Sequence, residues 1–226
     1  DAIIGMNSKD HSTNVTYYTP KFGNENLGKV QAGVTYVPNL AQYGSDVQLT
    51  QTDGYKNLVK GAVAYTGNIK SVAINASADV ISGNMNDSDQ SGSNSARPFF
   101  SWGAGATAAY QGFTVGFNYA DLGHLFTNST QNKAQQVFGA GLKYDFCCKL
   151  AVAFNWLGGE GYDNTMALSG SDRVKTFNNY GLGATYIWAP GMTTNVSGVL
   201  FNQTLDRAGA RDNDGYVLLI SEKLAF

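Results

Sequence analysis

The chain has 226 residues, a formal net charge of −2 and a pI near 5.6, so it carries no basic field of the kind that gathers nucleic acid, and no nucleic-acid partner is expected. Glycine supplies 27 residues and tyrosine with phenylalanine 25, against 4 prolines and 14% charged residues, a balance that favours strands and turns over helices. No window approaches the ~18 apolar residues of a membrane helix. A mean hydropathy of −0.21 would ordinarily describe a soluble chain, but it does not exclude a membrane β-barrel, whose strands need an apolar residue only at alternate positions.

In chain order, period-2 alternation predicts eleven strands, near residues 13–20, 28–37, 57–66, 69–81, 100–111, 112–120, 135–146, 149–157, 177–188, 192–203 and 215–226. In "VAINASADV", Val72, Ile74, Ala76, Ala78 and Val80 oppose Ala73, Asn75, Ser77 and Asp79. In "FTVGFNYA", Phe113, Val115, Phe117 and Tyr119 oppose Thr114, Gly116 and Asn118. "VFGAGLKYDF" sets Phe138, Ala140, Leu142, Tyr144 and Phe146 against Val137, Gly139, Gly141, Lys143 and Asp145. One phase is apolar and aromatic, and the other is small, polar or charged.

Connections alternate between long polar segments (38–56, 82–99, 121–134, 158–176, 204–214) and short turns. The short turns are expected around Gly67-Asn68, Gln111-Gly112, Cys147-Cys148 and Pro190-Gly191, with 21–27 somewhat longer. Antiparallel strands return the chain to opposite ends in turn, so every long loop falls at one end and every short turn at the other. That predicts an all-β, antiparallel up-and-down transmembrane barrel with periplasmic turns and long outer loops. Aromatic residues sort into the same two levels. Tyr65, Tyr110, Phe113, Tyr144, Phe146, Tyr186, Trp188 and Phe226 stand beside short turns; Tyr36, Trp102, Tyr119, Trp156, Tyr180 and Tyr216 stand beside long loops. A soluble β-sandwich also alternates, but nothing in it would sort loop lengths and rings this way. The non-aromatic phase carries Lys60, Asn75, Asp79, Thr107, Asn118, Lys143, Asp145 and Asn155, polar groups that imply water on that side.

At "STNVTYYTPKFGNENLGKVQAGVTYVP" the chain resembles the general trimeric porins of proteobacteria, through Asn14, Val15, Tyr17, Thr19, Pro20, Phe22, Gly33 and Tyr36. The resemblance implies a 16-stranded barrel in which this pattern follows an outer loop folded into the lumen. The strands from residue 13 to 226 would then be the sixth to sixteenth of one barrel domain, with residues 1–12 the returning end of that loop and the chain N-terminally incomplete. It further implies a homotrimer, lipid and lipopolysaccharide as surroundings, an outer-membrane location, and Phe226 as the signal read by the barrel assembly machinery. Lys9, Asp10 and His11 become remnants of the constriction loop, and Thr16 and Tyr18 join the pore lining at a position where family members often carry a basic residue.

Other features have plainer readings. Cys147-Cys148 is one adjacent pair and no disulfide framework. His11 and His124 are isolated, and "NDSDQSG" and "RDNDGY" lack the full spacing of a calcium loop, so neither metal nor cofactor is expected. Glu222 falls in the apolar phase of the last strand, which points to an interface, a bulge or a register change there. Ser101 and Ser221 are nominal nucleophiles without a catalytic set. The expected activity is non-enzymatic: passive diffusion of small hydrophilic solutes and ions. The pore-lining residues are Lys60, Asp79, Asn118, Lys143, Asp145, Asn155, Thr16 and Tyr18. The alternatives are a substrate-specific channel, which needs inward aromatics of which only Tyr18 and Phe201 qualify, and an adhesin or anchor barrel with longer outer loops.

Overall fold

The computed structural model describes residues 14–24, 27–40, 54–87, 95–123, 135–146, 149–162, 173–205 and 212–224. Their regular structure is entirely β. The strands are β1 (Val15–Tyr18), β2 (Phe22–Asn24), β3 (Gly28–Leu40), β4 (Gly54–Ile69), β5 (Val72–Asp87), β6 (Ser95–Tyr110), β7 (Phe113–Gly123), β8 (Gln135–Phe146), β9 (Leu150–Tyr162), β10 (Arg173–Ala189), β11 (Met192–Leu205) and β12 (Asn213–Leu224). One sheet holds all twelve in the order β1-β3-β4 and onward in sequence to β12, with β2 off the path and paired to β3. A sandwich would have divided these strands between two sheets. The sequence-ordered path is the meander that the alternation of loop lengths requires.

Three expectations are corrected. First, β4, β5, β6, β9 and β10 extend into segments expected as loop, including 82–87 and 95–99. Backbone pairing continues past the point where apolar alternation stops, because ladder hydrogen bonds need no apolar side chain. Second, the turn between β4 and β5 lies at Lys70–Ser71, not Gly67-Asn68. Lys70 takes the left-handed conformation (φ 55), while Gly67 stays in the strand against the hydroxyl end of Tyr65. Third, the expected connection 21–27 contains β2, where Phe22, Gly23 and Asn24 pair with Val30, Lys29 and Gly28. The side-chain Oδ1 of Asn24 then accepts the Leu27 amide at 2.8 Å. The turn at Gln111-Gly112 (φ 46 and 85) and that at Pro190-Gly191 stand where expected. Cys147-Cys148, Lys9, Asp10, His11 and Phe226 lie outside the described residues.

Burial is inverted relative to a soluble sheet. In β7, Phe113, Val115 and Phe117 are 53%, 53% and 68% exposed, whereas Thr114, Gly116 and Asn118 between them are half-buried. Val30, Val34, Phe138, Leu142, Phe154, Leu182, Val196 and Leu200 are exposed on the same apolar phase of their own strands. Such a surface is stable only against hydrocarbon.

Chain contacts group into two compact units, and several strands contribute to both. The first comprises 1–68, 75–105 and 120–136; the second comprises 69–74, 106–119 and 137–226. In the first, β1 pairs with β3 (Val15 with Tyr36 through Tyr18 with Gly33), and β3 with β4 (Lys29 with Thr66 through Leu40 with Tyr55). β1 stops at Tyr18 because Pro20 cannot donate to the ladder; the Thr19 amide makes the last bond, to the Ala32 carbonyl at 2.9 Å. In the second, β10 pairs with β9 and β11, and β11 with β12. Three of its aromatic contacts lie beside the short turns, Phe113 with Tyr144 at 4.2 Å, Tyr144 with Phe146 at 4.4 Å, and Tyr186 with Trp188 at 4.6 Å between ring centroids, while Tyr119 and Phe138, at 5.0 Å, meet toward the long loops. The first three are the expected aromatic level at the short-turn end.

Glu222 remains on the apolar phase in an unbroken register, opposite Thr194. The Trp188 indole donates to the Thr194 hydroxyl at 2.8 Å, and that hydroxyl donates to the Glu222 carboxylate at 3.4 Å. Neither a bulge nor a slip is present at this rung. The carboxylate is held at the aromatic level, where an amphipathic indole tolerates a polar neighbour.

Candidate functional site

The polar phase of the sheet is where chemistry can meet water, and it divides by unit. In the first unit, register lines up Thr16, Thr35 and Lys60 across β1, β3 and β4. The two threonine hydroxyls are 2.9 Å apart, and the Thr16 hydroxyl also donates to the Asn14 side-chain oxygen at 3.3 Å. Tyr18 lies over Gly33, where an added Cβ would meet its ring at 2.8 Å. Lys60 and Asp79 are half-buried on the polar phases of β4 and β5.

Toward the long-loop end the same phase is dry. Val37, Leu58, Ile81 and Phe99 form a buried cluster with Leu122 packed against it, and Leu58 is 0% exposed. Val37 and Leu58 face each other in register, and Gly83 leaves room for Leu58, whose Cδ2 would stand 2.9 Å from an added Cβ. Ser101, also fully buried, donates its hydroxyl to the Leu122 carbonyl at 2.6 Å, so it is a satisfied core serine. Sequence reasoning missed this cluster. A signal was present: Leu58 shares its phase with Lys56 and Lys60, and Phe99 alternates with exposed Phe100, but the polar-phase rule treats each strand alone.

In the second unit the polar phase is floored by glycine. The amide of Asn118 on β7 occupies the place a Cβ on Gly139 would take, and the amide of Asn155 on β9 does the same at Gly181, its register partner on β10. Both side chains therefore lie flat against the sheet. A Cβ on Gly116 would meet the Thr107 methyl at 3.0 Å, and the Thr185 hydroxyl donates to the Asn195 side-chain oxygen at 2.8 Å. Lys143 and Asp145, both expected in the pore lining, form a salt bridge with 2.8 Å between Nζ and Oδ1, each side chain about half exposed (48% and 47%). Residues two apart on one strand share a face, which brings them together. The Asp145 amide donates to the Gly112 carbonyl at 2.9 Å, tying this rung to the β6–β7 turn.

Aromatic residues on the polar phase number more than the two expected. Phe201 lies over Gly215, with its Cζ 2.7 Å from an added Cβ, and Phe177 stands on the same phase of β10 as Asn179 and Gly181. Phe99 is sealed in the first unit's cluster, so it lines no open surface.

With this geometry in view, comparison with known proteins is direct. A family model described as Gram-negative porin matches residues 2–204. Among solved structures, the chain is similar to the outer membrane channel DcaP of Acinetobacter baumannii, with a TM-score of 0.60 and 11% identity over 94% of this chain. The chain spans 62% of that protein's length. No curated protein sequence matches it.

Proposed function

The chain belongs to the Gram-negative porin family, which places it in the outer membrane, and from that premise we propose that it forms wall of a passive diffusion channel for small hydrophilic solutes and ions. The observation that carries this reading is the inverted burial: an exposed apolar phase for hydrocarbon, backed by a phase of glycine, amide, hydroxyl and paired charge that tolerates water. Residues 1–226 are then one barrel domain, and the polar phase with Thr16, Tyr18, Lys60, Asp79, Asn118, Lys143, Asp145 and Asn155 is the pore side. A homotrimer, lipopolysaccharide around the long loops, and the barrel assembly machinery are the partners that fit the family.

No catalytic step enters this reading. Ser101 is committed to a backbone carbonyl, and the polar phase offers surfaces for passage. Selectivity follows from charges on that phase, since a low-dielectric wall focuses their fields. In planar bilayers the protein extracted from native outer membranes gives discrete conductance steps, and Lys60→Glu moves the reversal potential in a salt gradient toward cation preference. Absence of conductance would remove the channel reading; steps with an unmoved reversal potential would remove Lys60 from the pore side.

A further inference from the structure

The polar phase of the second unit contains more than a neutral wall. β7, β8, β9 and β10 are successive neighbours in the sheet. Across them, Asn118 lies on Gly139, Gly141 carries no side chain, and Asn155 lies on Gly181. The Asn118 amide covers β8 at Gly139 and the Asn155 amide covers β10 at Gly181, which leaves Gly141 on β8 as the uncovered glycine between two amides rooted on strands two apart, roughly 10 Å from each other. Along β8 the same phase continues to Lys143 and then Asp145, joined at 2.8 Å.

A salt bridge of this length has no net charge, and a passing monovalent ion is attracted by one member about as strongly as it is repelled by the other. A molecule that carries its own adjacent opposite charges meets a different field. Its carboxylate can approach the Lys143 ammonium while its ammonium approaches the Asp145 carboxylate, so that four charges alternate in sign. The half-exposed setting keeps each contact weak, as transport requires, because a solute held tightly would not leave. The amides of Asn118 and Asn155 each offer both a donor and an acceptor to the remainder of such a solute, and Gly141 leaves it room between them.

We propose that this strip of β7–β10 is a weak subsite for small zwitterionic solutes of the free amino acid class, oriented by the Lys143–Asp145 dipole. The proposal rests on the channel reading above. It is tested with the protein extracted from native outer membranes and placed in proteoliposomes, by swelling rates in serine, a zwitterion, against erythritol, an uncharged polyol of similar size. The Lys143→Gln/Asp145→Asn double variant, which removes the dipole without changing net charge, lowers the serine-to-erythritol ratio about twofold, the scale of an exposed ion pair. The exchanged pair, Lys143→Asp with Asp145→Lys, retains the ratio and guards against a double variant that fails to assemble. The single variants Lys143→Gln and Asp145→Asn move the reversal potential in opposite directions, toward cations and anions respectively. An unchanged ratio in a double variant that still admits erythritol overturns the subsite while leaving the channel intact, and so does loss of the ratio in the exchanged pair. No erythritol flux through the unmodified protein overturns the channel reading itself.

Discussion

The long-loop end of the first unit's polar phase and the polar phase of the second unit begin from the same alternation and end in opposite states. In the first, Val37 and Leu58 meet in register, Gly83 admits Leu58, and the result is dry packing. In the second, glycines receive the flat amides of Asn118 and Asn155, and the result is a surface open to water. Glycine serves both, so its presence decides nothing. The state depends on what the neighbouring strand lays over it: a branched alkyl group that excludes water or an amide that welcomes it.

The largest test of this contrast is truncation. Leu58→Ala is expected to cost about 2–5 kcal/mol, the range for a fully buried leucine, whereas Asn155→Ala, at an exposed amide, is expected to cost under about 1 kcal/mol. Urea unfolding of the folded protein in lipid vesicles measures both, and equal losses would erase the distinction between a packed and a wetted face.

A smaller effect separates two glycines. A Cβ at position 83 would stand 2.9 Å from Leu58 Cδ2 and 3.2 Å from both the Leu58 Cα and the Lys56 carbonyl oxygen, so Gly83→Ala is expected to destabilise by about 1–3 kcal/mol. At Gly198, on the apolar phase, an added Cβ meets nothing within 4 Å. Gly198→Ala should be neutral or stabilise by about 0.4–1 kcal/mol, because alanine narrows the unfolded ensemble at no steric cost. The same vesicle titration ranks the pair, and the reverse order would mean that the dry cluster yields to an extra carbon.

Much of this was legible in the sequence. Phe113, Val115 and Phe117 announced their phase, and Gln111-Gly112 announced its turn, because both signals are local. Strand ends were less legible, since the extended parts of β4, β5, β6, β9 and β10 are held by backbone bonds that leave no hydropathic trace. The cluster of Val37, Leu58, Ile81 and Phe99 was hidden for another reason: each of its members looks like one exception within its own strand, and only inter-strand register makes the exceptions coincide. Lys143 and Asp145 were visible as residues sharing a face, yet their pairing required a side-chain geometry that alternation does not specify. The flat amides are of the same kind, because which glycine lies beneath which asparagine is fixed by the neighbouring strand.

The Tyr65 side chain, whose hydroxyl end stands against Gly67, also reaches Gly28, where an added Cβ would fall 2.7 Å from ring atom Cε2, and its hydroxyl donates to the Leu27 carbonyl at 3.1 Å. Two glycines against the hydroxyl edge of one aromatic ring have a magnetic consequence. A circulating π system displaces the resonances of protons close to it, so the Hα resonances of Gly28 and Gly67 in micelle-embedded protein should stand apart from those of other strand glycines and return together on Tyr65→Leu. Had the turn formed at Gly67-Asn68, Gly67 would stand clear of the ring and only Gly28 would be shifted. A pair of glycine signals thus reports, by ring current, where the polypeptide reverses direction.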